Sequence, residues 1–411
     1  MKTNTIKWLE TFSVILLILT SDCRLHPVLE QLVKIASYPT VALLIIRQPL
    51  GRVAYVATRD WSLIVLCLFA CSSIFWTENT QETATQLKSL FRTTLLGTYL
   101  AVRYSPKEQM RLLIRVIGIA AILSLVFAVA VPSYGTAISN NVFVWQGIYA
   151  HKQYLARAMT VGSMVFLLAL LVSRKYWWLK LAILFIMLVL LWKSTSRTGI
   201  GFLLLCIYIM PLYKIAKQKF RIRETILAIA FMLNGTIAML ILGNLETIVV
   251  DIMGKDLEFN GRLPLWQRAI EVGVSYGQPW FGYGYAGFWS SPISLEVAKG
   301  LWIRQEVNAN HSHNGFIDMF LQLGIVGLIL LLFNFLQVIF RAMYLLFISK
   351  KIECFWMFNM IFLMLCFNIF ELNTLLTSNF LWVYYISISL SLVLELEQIK
   401  NKTLTHETNF K

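Results

Sequence analysis

The sequence predicts an all-α integral membrane protein with about twelve transmembrane helices and one long hydrophilic segment on the outer side. Three observations carry that reading. The chain is 58% hydrophobic and only 14% charged, whereas a soluble domain carries a charged skin of about 25% Asp, Glu, Lys and Arg. Apolar stretches close to the roughly 20 residues that a bilayer-spanning helix needs recur from end to end. The basic residues also gather on alternate connections, as the positive-inside rule requires of a multi-pass protein.

In chain order the predicted spans are 8–20, 36–50, 60–76, 88–103, 110–131, 156–173, 177–193, 198–215, 224–242, 314–340, 354–371 and 377–396. Pro39 and Pro49 interrupt the second. No small-residue cleavage site follows the first, so it is expected to be a retained helix. These spans divide the chain into an N-terminal bundle of about nine helices (1–242), an outer loop (243–312), C-terminal helices (313–396) and a cytoplasmic tail (397–411).

The net charge of +15 is topological and does not point to nucleic acid. With both termini in the cytoplasm, most of the 36 basic residues fall inside, including the run Lys214, Lys217, Lys219, Arg221 and Arg223. The six cysteines lie mostly within or beside spans and have no metal-ligand spacing, so they read as small apolar packing residues.

Chemistry is sought on the outer face, because polar groups at a membrane edge are costly unless used. Arg92, Arg157, Arg197, Arg262 and Arg268 sit at or near outer helix ends, where positive-inside selection disfavours them. Any one of them can be a residue snorkelling to headgroups, but the set points to an anionic ligand. Within the outer loop, Leu265, Ala269 and Val272 share a face with Trp266 and Ile270, opposite Gln267, Arg268 and Glu271. That pattern predicts an amphipathic helix, lying on the membrane or covering a cavity. GYGYAGFW (282–289) holds too many glycines for a strand or helix and reads as a tight aromatic turn, its rings stacking on sugars or resting in the interface.

The segment 307–332 opens with His311, His313 and Asn314 and continues into an apolar run carrying Asp318 and Gln322. Ser312 is placed as the N-cap, with His313 and Asn314 in the first turn. Asn314, Asp318 and Gln322 recur every four residues and form one polar stripe, which must face the bundle interior or a wet cavity. Gly324 and Gly327 are expected to allow close helix packing. A histidine at a helix N-terminus is held neutral by the dipole and so can accept a proton. Four roles stay open for the pair: metal ligands lacking an obvious third, a transporter's proton relay, an ordinary cap, or a base beside an anion held by the arginines.

SRTG (196–199), GRLPLW (261–266) with PWFGYGYAGFW (279–289), and HNGFIDMFLQLGIVG (313–327) follow one another here in the order seen in the O-antigen ligase and polymerase superfamily, which the chain resembles. His313, Asn314 and Gly324 fit that family's pattern of His, then Asn, Ser or Gln, nine residues, then Gly. RYSPKEQMRLL (103–113), VPSYGTA (131–137) and IYAHKQYLARAM (148–159) look most like its exopolysaccharide branch, with Gln153 standing where asparagine is expected.

The resemblance implies a GT-C-type glycosyltransferase in the bacterial inner membrane, working on the periplasmic face without metal or cofactor. It implies a polyprenyl-diphosphate-linked oligosaccharide as donor and a glycan or lipid core as acceptor. Other polysaccharide assembly proteins are candidate partners. By position, Arg197 and Arg262 match the arginines that hold the donor diphosphate and His313 matches the base. Arg157, Lys152, Arg268 and Arg92 are lesser candidates for the diphosphate; His311, Asn314 and Asp318 are candidates for the acceptor side or for support of the base. A transporter or lipid flippase is the competing class, and it predicts charges near the middle of several spans.

Overall fold

The computed structural model describes residues 2–139, 142–243, 262–299, 311–371 and 375–408. The chain runs through α1 (Lys2–Thr20), α2 (Pro27–Ile46), α3 (Leu50–Ala57), α4 (Trp61–Ser72), α5 (Thr80–Arg103), α6 (Pro106–Ala130) and the short α7 (Pro132–Gly135). A hairpin of β1 (Thr136–Ser139) and β2 (Val142–Trp145) follows, then α8 (Lys152–Val172), α9 (Trp177–Lys193), α10 (Arg197–Ile209), α11 (Pro211–Ala216) and α12 (Phe220–Gly243). Helices α13 (Arg262–Ser275), α14 (Ile293–Lys299), α15 (Gly315–Ser349), α16 (Ile352–Phe370) and α17 (Phe380–Thr408) complete it.

Short polar side chains start these helices by satisfying the free N–H groups of their first turns. Asp60 accepts from Leu63 N, Asn79 from Glu82 N and Ser196 from Gly199 N. Ser105 and Glu108 form a reciprocal capping box ahead of α6.

Among the described residues, seven helices are long and apolar enough to cross a membrane, or eight if the bent pair α3–α4 makes one span. The expected stretches at 8–20, 88–103, 177–193 and 224–242 are also helical but fall outside that set. In α5 the reason is visible: its first turns, TQETATQLK, are polar. The β1–β2 hairpin is a departure from an all-α reading. Helix α17 continues through Thr408, into the stretch read as a tail. Of the expected outer loop, residues 244–261 and 300–310 lie outside the described residues.

The buried centre is built from α8, α16 and α17, where Leu155, Met159, Trp356, Phe367, Trp382 and Tyr385 are fully enclosed. Peripheral α2 and α9 expose Leu32, Ile35, Phe185 and Trp192, the apolar surface that lipid covers. Toward the other end of the bundle, Asp60 caps α4 and pairs with Arg341 Nη1 at 2.8 Å. Ser62, Ser389 and Asn334 also donate to its carboxylate, and Tyr385 completes the set through Asn334. A buried carboxylate so fully bonded ties α4, α15 and α17 together as a structural lock.

Helix α15 is broken. Gly324 adopts φ +67° and ψ −168°, so its role is to interrupt the helix; the close helix packing expected of it is not what it provides. The backbone of the aromatic turn enters the break: Ile325 N donates to Pro279 O at 2.9 Å, Val326 N to Trp280 O at 3.2 Å, and Tyr283 N to Leu321 O at 3.0 Å. Groups freed by the interruption are thus satisfied by a neighbouring segment, as membrane burial demands. A Cβ on Gly324 would come within 2.2 Å of Trp280 O.

Candidate active site

The short stretch from His311 to Asn314 is shaped before any helix begins. Asn314, and not Ser312, is the N-cap of α15: its Oδ1 accepts from Phe316 N at 3.0 Å and Ile317 N at 3.2 Å. His313 therefore stands just outside the first turn, with φ +58°, and its ring meets that of His311 edge-on with centroids 4.2 Å apart. Ser312 braces the turn, donating from Oγ to Asn314 O at 2.8 Å. Its backbone N–H is held by Asp318 Oδ1 at 2.9 Å, and its carbonyl by Trp266 Nε1 at 2.7 Å.

The polar stripe of α15 faces inward as its spacing predicts. Asp318 also accepts from Trp289 Nε1 at 2.8 Å, and Gln322 Oε1 accepts from Ala286 N at 2.9 Å. Asp318 thus supports the histidines through Ser312 and touches neither ring. Helix α13 buries Leu265, Ala269 and Val272 against Tyr283, Phe288 and Leu321, so it covers the aromatic turn, while Ile270 of the expected face is exposed. Tyr283, Tyr285 and Phe288 are core residues and offer no face for sugar stacking.

Helix α13 also brings Arg262 to the end of α16, where its Nη1 donates to Phe370 O. The next residue, Glu371, is 2% exposed, and its Oε2 has no hydrogen-bond partner among the described residues. Burial raises its pKa from the usual 4.5 to about 7, against the opposing charges of Arg157 and Arg262. Arg157, on the second turn of α8, is 4% exposed, stacks over Tyr154 at 4.9 Å, and also faces Asp22. Asp22 accepts from Phe380 N at 3.3 Å.

His313 is held down to about pKa 3, first by burial and then by the nearby charges of His311, Arg262 and His151. His311 is lowered by burial in the same way. Their Nδ1 atoms have no partner among the described residues. His151 joins this group from the N-cap of α8, beside Lys152 in its first turn.

Arg197 occupies the first turn of α10 and is exposed. Two residues on, Gly199 lies against Ala156, the neighbour of Arg157. Phe202 on the same helix packs on Phe367 and Phe370. Arg197 therefore stands at the end of the bundle that carries Arg157 and Glu371. Two expected arginines are elsewhere. Arg268 pairs with Glu271 on its own helix at 3.0 Å, and Arg92 donates to Ser37 Oγ between α5 and α2.

Glu371, Asp22 and His151 escaped the reading of the sequence. Each lies in a short connection or at a helix end, and no local pattern in the sequence singles out those three side chains.

Residues 181–332 match the family described as O-antigen ligase. The ligase-family match takes in Arg197, Arg262, His311, His313, Asn314 and Asp318 and leaves Arg157, His151 and Glu371 outside it. Separately, 100 residues are 33% identical to the exopolysaccharide production protein ExoQ of Rhizobium meliloti (strain 1021), covering 24% of this chain and 22% of that protein. The family match agrees with the superfamily the motifs resemble, and the similarity to ExoQ agrees with its exopolysaccharide branch.

Proposed function

We propose that this chain is a membrane glycosyltransferase that moves a glycan from a polyprenyl diphosphate to an acceptor hydroxyl at the outer leaflet, polymerising exopolysaccharide or O-antigen repeat units. The observation that carries the reading is the meeting of neutral histidines with Arg262, Arg157 and Glu371 where α8, α13, α15 and α16 come together, within and beside a ligase-family domain.

In this reading the acceptor oxygen attacks the anomeric carbon as the bond from that carbon to the diphosphate oxygen breaks. The electron pair leaves with the diphosphate, and the growing charge is met by the fixed guanidinium groups of Arg197, Arg262 and Arg157. The hydroxyl proton passes to His313. A base at about pKa 3 is weak, but bound diphosphate places negative charge beside it and raises its proton affinity toward the range that general-base catalysis needs. Direct displacement inverts the anomeric configuration. The diphosphate bond supplies the driving force, so no external energy source is required, and the arginines meet the leaving-group charge.

The test is purified protein in nanodiscs with lipid-linked repeat units and chelator, with products resolved by chain length. Lengthening lipid-linked chains are expected. Glycan release only when a lipid core is added makes the protein a ligase, and no transfer under either condition removes the reading.

A further inference from the structure

A cavity of about 70 Å³, with both polar and apolar lining, opens toward the same end of the bundle between α1, α2 and α5. Arg92, Ser37, Lys34 and Thr20 line it, above a floor that includes Leu96 and Val383. Its level is fixed by Thr94, whose Oγ1 accepts from Trp382 Nε1 in the first turn of α17 at 2.9 Å. Ser21 and Cys23 also line the cavity, while Asp22 between them faces Arg157 of the histidine site. The two sites are neighbours divided by this one segment.

The charges in the cavity do not balance. Lys34 is neutralised by Glu30 at 2.8 Å. Arg92 is half-buried, donates to a neutral hydroxyl at 2.7 Å, lies 5.2 Å from the centre of the Tyr38 ring, and has no carboxylate within ion-pair distance among the described residues. A partly buried guanidinium without a counter-ion is costly, and snorkelling along apolar surface does not account for the space left beside it. Because α2 is the least enclosed of the long apolar helices, the cavity can be reached sideways from lipid.

We propose that this cavity holds the diphosphate of a second polyprenyl-linked glycan, the acceptor. The inference rests on the polymerase reading above and deepens it. Chain extension on lipid requires two lipid-linked substrates at once. The reacting hydroxyl of the acceptor lies at the far end of its repeat unit, so its own diphosphate must be held apart from the donor's yet at the same leaflet. Arg92 meets that condition, and its separation from Arg157 and Arg262 is then a requirement of the reaction.

The experiment titrates farnesyl diphosphate onto the full chain in phosphatidylcholine nanodiscs, with stoichiometry read by native mass spectrometry. Wild type is expected to bind two molecules and Arg92→Gln one, while Arg157→Gln/Arg262→Gln keeps only the Arg92 site. In the polymerisation assay Arg92→Gln should raise the acceptor KM at least tenfold with kcat little changed. Ser37→Leu, which fills the cavity and keeps the charge, should remove the same site, so the test survives if Arg92→Gln does not insert. One bound molecule, indifferent to both cavity variants and lost in the double variant, overturns the proposal and leaves the polymerase reading standing. Equal competition by phosphatidylglycerol doped into the discs, or by inorganic diphosphate, overturns it too, since the site then reads a headgroup or a free anion. No binding at all sinks the polymerase reading itself.

Discussion

Glu371 shows how a single residue sets the conditions of the site. Its carboxyl, raised to about 7 by burial, is neutral at pH 6 and ionised at pH 8. Ionised, it competes with the donor diphosphate for Arg157 and Arg262; protonated, it leaves both cations to the ligand. Donor affinity is therefore expected to fall as pH rises from 6 to 8, by up to about tenfold for the roughly one pKa unit's worth of attraction at stake. Glu371→Gln should flatten that dependence, as measured by titrating farnesyl diphosphate at each pH. A slope unchanged in the variant would assign it to another group. The sequence did not disclose Glu371 because its meaning is created by distance along the chain: the end of α16 meets α8 and α13 only after folding. His151 was hidden for the same reason. The stripe of Asn314, Asp318 and Gln322 was legible because a spacing of four places residues on one face whatever the helix packs against.

At the scale of elements, the histidines are held by a frame that spans three segments. Asp318 receives Ser312 N–H and Trp289 N–H together. Asp318→Ala leaves both donors unpaired in a closed site, at a cost of about 1–3 kcal/mol each. A lower unfolding temperature and loosened His311–His313 packing should follow, the latter seen as altered histidine NMR shifts. Gly324→Ala meets a left-handed backbone and the Trp280 carbonyl at once, and destabilisation of about 1–3 kcal/mol is expected from the backbone alone, read by thermal unfolding in detergent. The break was illegible in advance, since GIVGLILLLF reads as one uninterrupted apolar helix and only the inserted carbonyls of Pro279 and Trp280 reveal it. The amphipathic face of α13 was legible in Leu265, Ala269 and Val272 because periodicity is a local property.

Across the whole molecule, transfer at the outer leaflet needs the ends of α8, α13 and α16 that carry the site to face outward, with the basic run near Lys217 inside. On a background with the six native cysteines replaced, Thr195→Cys should react with an impermeant maleimide from outside intact cells. Lys350→Cys should react only after permeabilisation. The reverse pattern inverts the topology and places the site in the cytoplasm. The count of spans was harder to read than their existence, because α5 mixes polar turns with apolar ones and α3–α4 bends by 89°. Composition alone does not register either feature.

The central claim is a division of labour, with arginines binding the donor and His313 taking the proton. Single-turnover transfer, measured beside donor affinity in the same nanodiscs, separates the two. His313→Ala should bind donor as wild type does and transfer about 10²–10⁴-fold more slowly, whereas Arg262→Ala should lose donor affinity. A His313→Ala protein that transfers glycan at the wild-type rate contradicts the account.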